Sequence, residues 1–120
     1  MSTFNINVKT GSNIDILEIR GELDAHTASE LERYFKKLID SNRHNLVVDF
    51  SELEYIASAG LGVFMAYIEE VRSLGGDIKL TNMSDRVYNV FDLLGFPTLY
   101  DILDDVNDAI NRFSEQSSAQ

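Results

Sequence analysis

Leu46-Val-Val-Asp-Phe-Ser-Glu-Leu-Glu-Tyr-Ile-Ala-Ser-Ala-Gly-Leu-Gly-Val-Phe64 carries the change of period on which the fold turns. Leu46, Val47, Val48 and Phe50 form a nearly unbroken apolar run, the pattern of a parallel strand covered on both faces. From Leu61 the spacing becomes helical, with Leu61, Phe64, Ile68 and Val71 on one stripe. A short loop is expected between them, ending in the small residues Ala57, Ser58, Ala59 and Gly60. They leave the serine hydroxyl unobstructed at the mouth of a helix, where backbone N–H groups lack partners. On local chemistry alone Ser58 reads as the N-cap of that helix.

Working outward toward the C-terminus, Gly75-Gly76 stops the helix. Asp77 to Thr81 is a short strand, so strand, helix and strand make a unit whose two strands run parallel. Ser84 caps a third helix with Val87, Val90, Phe91 and Leu94 on its apolar stripe, ended by Gly95 and Pro97. A short edge strand is expected within 98–102. Val106, Ala109, Ile110 and Phe113 mark a last amphipathic helix, and 114–120 is a polar tail without apolar periodicity.

Toward the N-terminus, Phe4 to Val8 and Ile14 to Arg20 alternate apolar and polar residues around the turn cluster 10–13, which is a hairpin signal. Gly21 is expected to end the second strand. The polar link Gly21-Glu-Leu-Asp-Ala-His-Thr27 leads into a helix carrying Ala28, Leu31, Phe35, Leu38 and Ile39. Thr27 and Glu30 have the spacing of a capping box. The expected architecture is α/β: one domain over 1–113, with a mixed four- to five-stranded sheet packed with about four helices.

Composition narrows the function. The 120 residues suit a single domain, and 44% apolar with 25% charged residues is ordinary for a globular protein. No cysteine is present, which removes disulfides and thiol chemistry. No apolar run approaches the ~20 residues of a membrane span, and no basic-then-apolar leader opens the chain, so a cytoplasmic location is expected. The formal charge of −10 repels phosphate backbones and anionic lipid. Neither direct nucleic-acid binding nor membrane binding is expected. A basic protein partner is compatible with that charge.

The chemistry of a catalyst is thin. Ser58 lacks the Gly-x-Ser-x-Gly frame of a hydrolase elbow, since Ile occupies position 56. His26, two residues from Asp24, could be drawn into a triad with Ser58, but a triad also needs an oriented imidazole and an oxyanion hole. Gly60-Leu-Gly62 has no third glycine and no following lysine, a weak nucleotide signal. Glu69-Glu70 and Asp104-Asp105 lack histidine partners and read as solvated faces rather than metal ligands. No cofactor and no enzymatic activity are expected.

Two passages carry a resemblance: Gly21-Glu-Leu-Asp-Ala-His-Thr27 before a helix, and Val48-Asp-Phe-Ser onward to Ala57-Ser-Ala-Gly-Leu-Gly-Val63. Together they resemble anti-sigma factor antagonists of the STAS (sulfate transporter and anti-sigma antagonist) class over about residues 4–113. The resemblance implies binding to an anti-sigma factor that is also a serine kinase, with release of the sigma factor. It further implies that phosphorylation at Ser58 ends the association and that a metal-dependent serine phosphatase restores it. Glu22, Asp24 and His26 with Ala57, Ser58, Ala59, Gly60 and Leu61 are then the implied partner-facing residues. The family commonly has aspartate directly before the phosphorylated serine, where this chain has Ala57. Two alternatives stand beside that reading. One is a STAS scaffold or ligand-binding module in which Ser58 is only a cap. The other is a small hydrolase using Ser58.

Overall fold

The computed structural model describes residues 4–118. Its elements are β1 (Asn5–Thr10), β2 (Asp15–Leu23), α1 (Ala28–Asp40), β3 (Asn45–Ile56), α2 (Ser58–Ser73), β4 (Asp77–Thr81), α3 (Asp85–Leu93), a 3-10 turn (Phe96–Thr98), β5 (Ile102–Leu103) and α4 (Val106–Ser118). The five strands lie side by side in chain order. β1 is antiparallel to β2, and β2 through β5 are parallel. The expected hairpin, the parallel β3–β4 pair and the mixed sheet are all present. The polar tail expected from residue 114 begins inside α4, and 119–120 fall outside the described residues.

Each parallel connection runs through one helix, from β2 by α1, from β3 by α2 and from β4 by α3. The helices therefore start at the edge where the strands end, and finish at the opposite edge. Leu31 and Phe35 of α1, Phe64, Ile68 and Val71 of α2, and Val87 and Phe91 of α3 bury one face of the sheet with Leu17, Ile19, Val48, Phe50, Ile78 and Leu80. Aromatic rings link the layers: Phe64 lies 5.8 Å from Phe35 and 5.6 Å from Phe50, centroid to centroid. α4 covers the other face, where Val47, Ala109 and Phe113 form a much smaller core.

Several local expectations are corrected. Gly21 does not end β2; it sits within the strand at φ 89°, beside a shift in register, and the strand continues to Leu23. A glycine takes this left-handed conformation without the cost of a Cβ, which suits a bulge. β3 does not stop at Phe50 but runs to Ile56, pairing with β2 alone after β4 leaves it at Asp49–Thr81. Beyond Phe50 only Leu53 and Ile56 turn inward, three residues apart, because of that same shift in register. Alternation is therefore lost although the strand persists.

Helix ends differ too. Ser84 does cap α3, its hydroxyl accepting the N–H of Val87 at 3.2 Å. The capping box at Thr27 and Glu30 does not form, because the Thr27 side chain makes no cap bond and its hydroxyl donates to the Glu22 carbonyl at 2.9 Å. α2 ends before Gly75, at φ 89°, and a Cβ on Gly76 would run into the His44 carbonyl oxygen. Leu94, expected on the buried stripe of α3, is the residue at which that helix ends, and it is exposed. The edge strand expected within 98–102 is two residues long and sits at Ile102–Leu103, since 96–98 is taken up by the 3-10 turn.

Candidate functional site

The parallel pairing of β2 with β3 brings two loops to one edge. Glu22 is in register with Tyr55 and Leu23 with Ile56, so the chain leaves both strands at the same level. The Ala57 N–H then donates to the Leu23 carbonyl at 2.9 Å, carrying the ladder one residue further. Glu22, Asp24 and His26 thus lie along the same rim as Ala57 and Ser58.

Ser58 is the first residue of α2, and it is exposed. The N-cap is Ala57, in extended conformation (φ −105°, ψ 170°), so the expectation that Ser58 itself caps the helix is corrected. The alanine side chain has no oxygen to offer, and no side chain caps this terminus. The Ala57 carbonyl accepts the N–H of Gly60 at 2.9 Å and of Leu61 at 3.3 Å, which starts the helical ladder. The remaining N–H groups of the first turn stand at the positive end of the helix dipole, beside the serine.

Gly60 explains how the helix comes this close to the strands. A Cβ there would lie 2.7 Å from Leu23 Cγ and 3.2 Å from Ile56 Cγ1. Only glycine lets the first turn of α2 settle on the ends of β2 and β3. Gly60 and Leu61, expected at the contact surface, are buried and turn inward; they hold the helix in place. The exposed positions in the two turns of α2 that follow Ser58 are Gly62, Met65 and Ala66.

The facing loop is organised by Asp24 and Thr27. Asp24 Oδ1 accepts the backbone N–H of His26 at 2.9 Å and of Thr27 at 3.2 Å. The Asp24 N–H donates to the buried Thr27 hydroxyl at 2.9 Å. Among the described residues no hydrogen bond joins the His26 imidazole to Asp24 or to Ser58, so the triad drawn from the sequence does not assemble. Glu22 and His26 are exposed, while Asp24 is half-buried because its carboxylate serves the loop.

Sequence reasoning missed Tyr55. Its side chain is 49% exposed on the rim, in register with Glu22 and three residues before Ser58. Only the extension of β3 makes that position visible, since a tyrosine in a loop carries no signal of its own. A hollow of about 690 Å³ opens at the opposite edge between Gly11, Gly75 and Phe113, and none of the rim residues lines it. No group of three or more metal-ligating side chains occurs among the described residues, and none of their helices is long and apolar enough to cross a membrane.

Comparison with known proteins bears on the family and the fold. The chain is 33% identical over 98 residues to an anti-sigma-B factor antagonist of Bacillus subtilis, covering 82% of this chain and 89% of that one. An anti-sigma factor antagonist from Mycobacterium paratuberculosis has the same fold, with a TM-score of 0.84, 21% identity, and 92% and 93% of the two chains covered. The Bacillus cell fate determinant SpoIIAA in its phosphorylated form also superimposes, with a TM-score of 0.71, 20% identity, and 92% and 99% coverage. The STAS domain family model matches residues 5–109, and with a five-stranded mixed sheet, helices on both its faces and an exposed serine opening α2, the chain belongs to the STAS domain family.

Proposed function

We propose that this protein is an anti-sigma factor antagonist. It binds an anti-sigma factor with serine kinase activity and is switched off when Ser58 is phosphorylated. The observation that carries the reading is the position of Ser58: exposed, first in its helix, uncapped, and on one rim with the Glu22–His26 loop. Phosphate adds about −1.5 to −2 charges at pH 7. The uncapped N–H groups and the dipole of α2 accept that charge, so the fold survives modification. A partner surface matched to a small neutral serine does not. The protein is then a substrate and a switch, not a catalyst. Removal of the phosphate by a metal-dependent serine phosphatase restores the binding form. The B. subtilis relative, by its name, is an antagonist of an anti-sigma-B factor, and phosphorylated SpoIIAA shares the fold.

One observation favours a second reading, a STAS scaffold or ligand-binding module without the switch. The residue before Ser58 is Ala57, which brings no carboxylate to the hydroxyl. The test is binding of a purified anti-sigma serine kinase to wild type, Ser58→Ala and Ser58→Glu, with intact mass recorded after ATP. Ser58 is not the cap, so Ser58→Ala should fold as well as wild type, bind, and stay bound in ATP. Ser58→Glu should melt near wild type yet bind at least about tenfold more weakly, equivalent to about 1.4 kcal/mol. Equal binding by both variants, with no phosphate gained by wild type, leaves the scaffold reading in place.

A further inference from the structure

We propose that the sheet edge opposite Ser58 is a second docking surface, fitted to an amphipathic helix of a partner protein that carries lysine or arginine beside its apolar stripe. The surface lies where α2 and α3 end. Leu74 at the end of α2 is 48% exposed, Leu93 and Leu94 at the end of α3 are 84% and 57% exposed, and Leu99 after the 3-10 turn is 44% exposed. The Arg72 guanidinium of α2 donates to the Leu99 carbonyl at 2.6 Å, which ties the end of α2 to the α3–β5 connection. The four leucines thus border one edge.

Their exposure is built in rather than a product of slack. Between them Phe96 is buried, with its ring 5.3 Å from Phe91 and 5.5 Å from Tyr100, centroid to centroid. Gly95 at φ 75° and the bonds Thr98 N–H to Gly95 O and Leu99 N–H to Phe96 O fix the turn. The anchored turn faces its flanking leucines outward. A group of exposed large apolar side chains on a small domain marks an interaction site.

Charge selects the occupant. Glu69 and Glu70 in the last turns of α2 and Asp92 beside Leu93 are exposed. The carbonyl ends of α2 and α3 add their negative partial charges. Arg72, the cation that bonds to Leu99 at this edge, is engaged by Asp77 at 2.9 Å and by the Leu99 carbonyl. A partner with basic residues flanking an apolar stripe satisfies both features. A second copy brings the same carboxylates and a net charge of −10 against itself, and an anionic lipid surface is repelled in the same way. The proposal goes beyond the reading of Ser58 and stands at the other end of the molecule.

The test uses a synthetic helical peptide with a leucine stripe flanked by lysines, and a second in which glutamates replace the lysines. Each is titrated into isotope-labelled protein and followed by amide NMR. The lysine peptide should shift Leu74, Leu93, Leu94 and Leu99 and leave Ser58 and Gly62 in place. The glutamate peptide should bind at least about tenfold more weakly. The double variant Leu93→Ser/Leu94→Ser should lose the shifts; Leu93→Ser alone serves if the double variant melts early. Equal affinity for the two peptides, shifts centred elsewhere, or binding retained by the variants would overturn the proposal. So would wild type sedimenting as a dimer that the variants abolish, or binding to anionic vesicles that they abolish.

Discussion

Adding one methyl group at Gly60 or at Gly62 should change stability in opposite directions, although the two positions lie on the same helix. In a helix interior alanine is favoured over glycine by about 0.8–1 kcal/mol. At Gly62 a Cβ meets nothing within 4 Å, so Gly62→Ala should keep that gain and raise Tm by about 3–4 °C for a domain of this size. At Gly60 the Cβ would lie 2.7 Å and 2.9 Å from Cγ and Cδ2 of Leu23, whose side chain is buried and held against α2. Forcing a methyl group into a packed site costs about 1–3 kcal/mol, which exceeds the helical gain. Gly60→Ala should therefore lose roughly 1 kcal/mol net and melt about 3–4 °C lower. Thermal unfolding by circular dichroism at one pH and one protein concentration reads both shifts. If both variants melt higher, α2 does not need its close approach to Leu23, and the account of how Ser58 is placed is wrong.

Three further outcomes follow from the same contacts. Asp24→Ala leaves the His26 N–H without its acceptor and the Thr27 N–H with only the Asp24 backbone carbonyl, so it should cost about 0.5–2 kcal/mol and weaken kinase binding roughly fivefold while the protein stays folded; unchanged affinity by calorimetry would remove the loop from the site. Arg43→Ala strands the buried Asp15 carboxylate, to which Arg43 Nε donates at 2.6 Å, and should cost about 3 kcal/mol in urea unfolding; a loss under about 0.5 kcal/mol would show that the pair is not structural. Burial pushes the Asp101 carboxyl up, but the Lys79 ammonium 2.7 Å away and the nearby Arg112 and Arg72 hold it below its usual value. A carboxyl lowered in the folded state adds stability above its unfolded pKa of about 3.9, and that stability is lost as pH falls through the folded value. Lys79→Met should thus flatten the fall in stability below about pH 4, and an unchanged slope in urea unfolding against pH would refute the pairing.

Much of this was legible in the sequence, where each local signal had a single physical meaning. Alternation gave the hairpin, Ser84 and Gly75 gave helix ends, and the apolar run at 46–50 gave the centre of the sheet. The strand, helix and strand over 46–81 gave the parallel β3–β4 pair, while the rim shared by Ser58 and the 22–26 loop comes from the β2–β3 register. What failed was read from residues whose partners are distant in sequence. Gly21 looks like a terminator until β3 is set beside it and the bulge is seen. Leu53 and Ile56 break the alternation because β3 shifts register against β2 there. Thr27 has capping-box spacing, yet its hydroxyl finds the Glu22 carbonyl first. Tyr55 and the exposed leucines at the far edge become visible only once the chain around them is placed.

The uneven covering of the sheet has a kinetic consequence. On one face three helices and the chained rings of Phe35, Phe64, Phe50, Phe91 and Phe96 form a single interlocked mass. On the other, α4 rests on a core of three fully buried or nearly buried side chains, with the Lys79 ammonium 4.5 Å from the centre of the Phe113 ring. Amide protons of α4 should therefore exchange through local opening at a lower free energy than those of the β2–β3 ladder, a difference that native-state hydrogen exchange would read. The rim that carries Ser58 stands on the interlocked side, so loosening of the C-terminal helix should leave it in place.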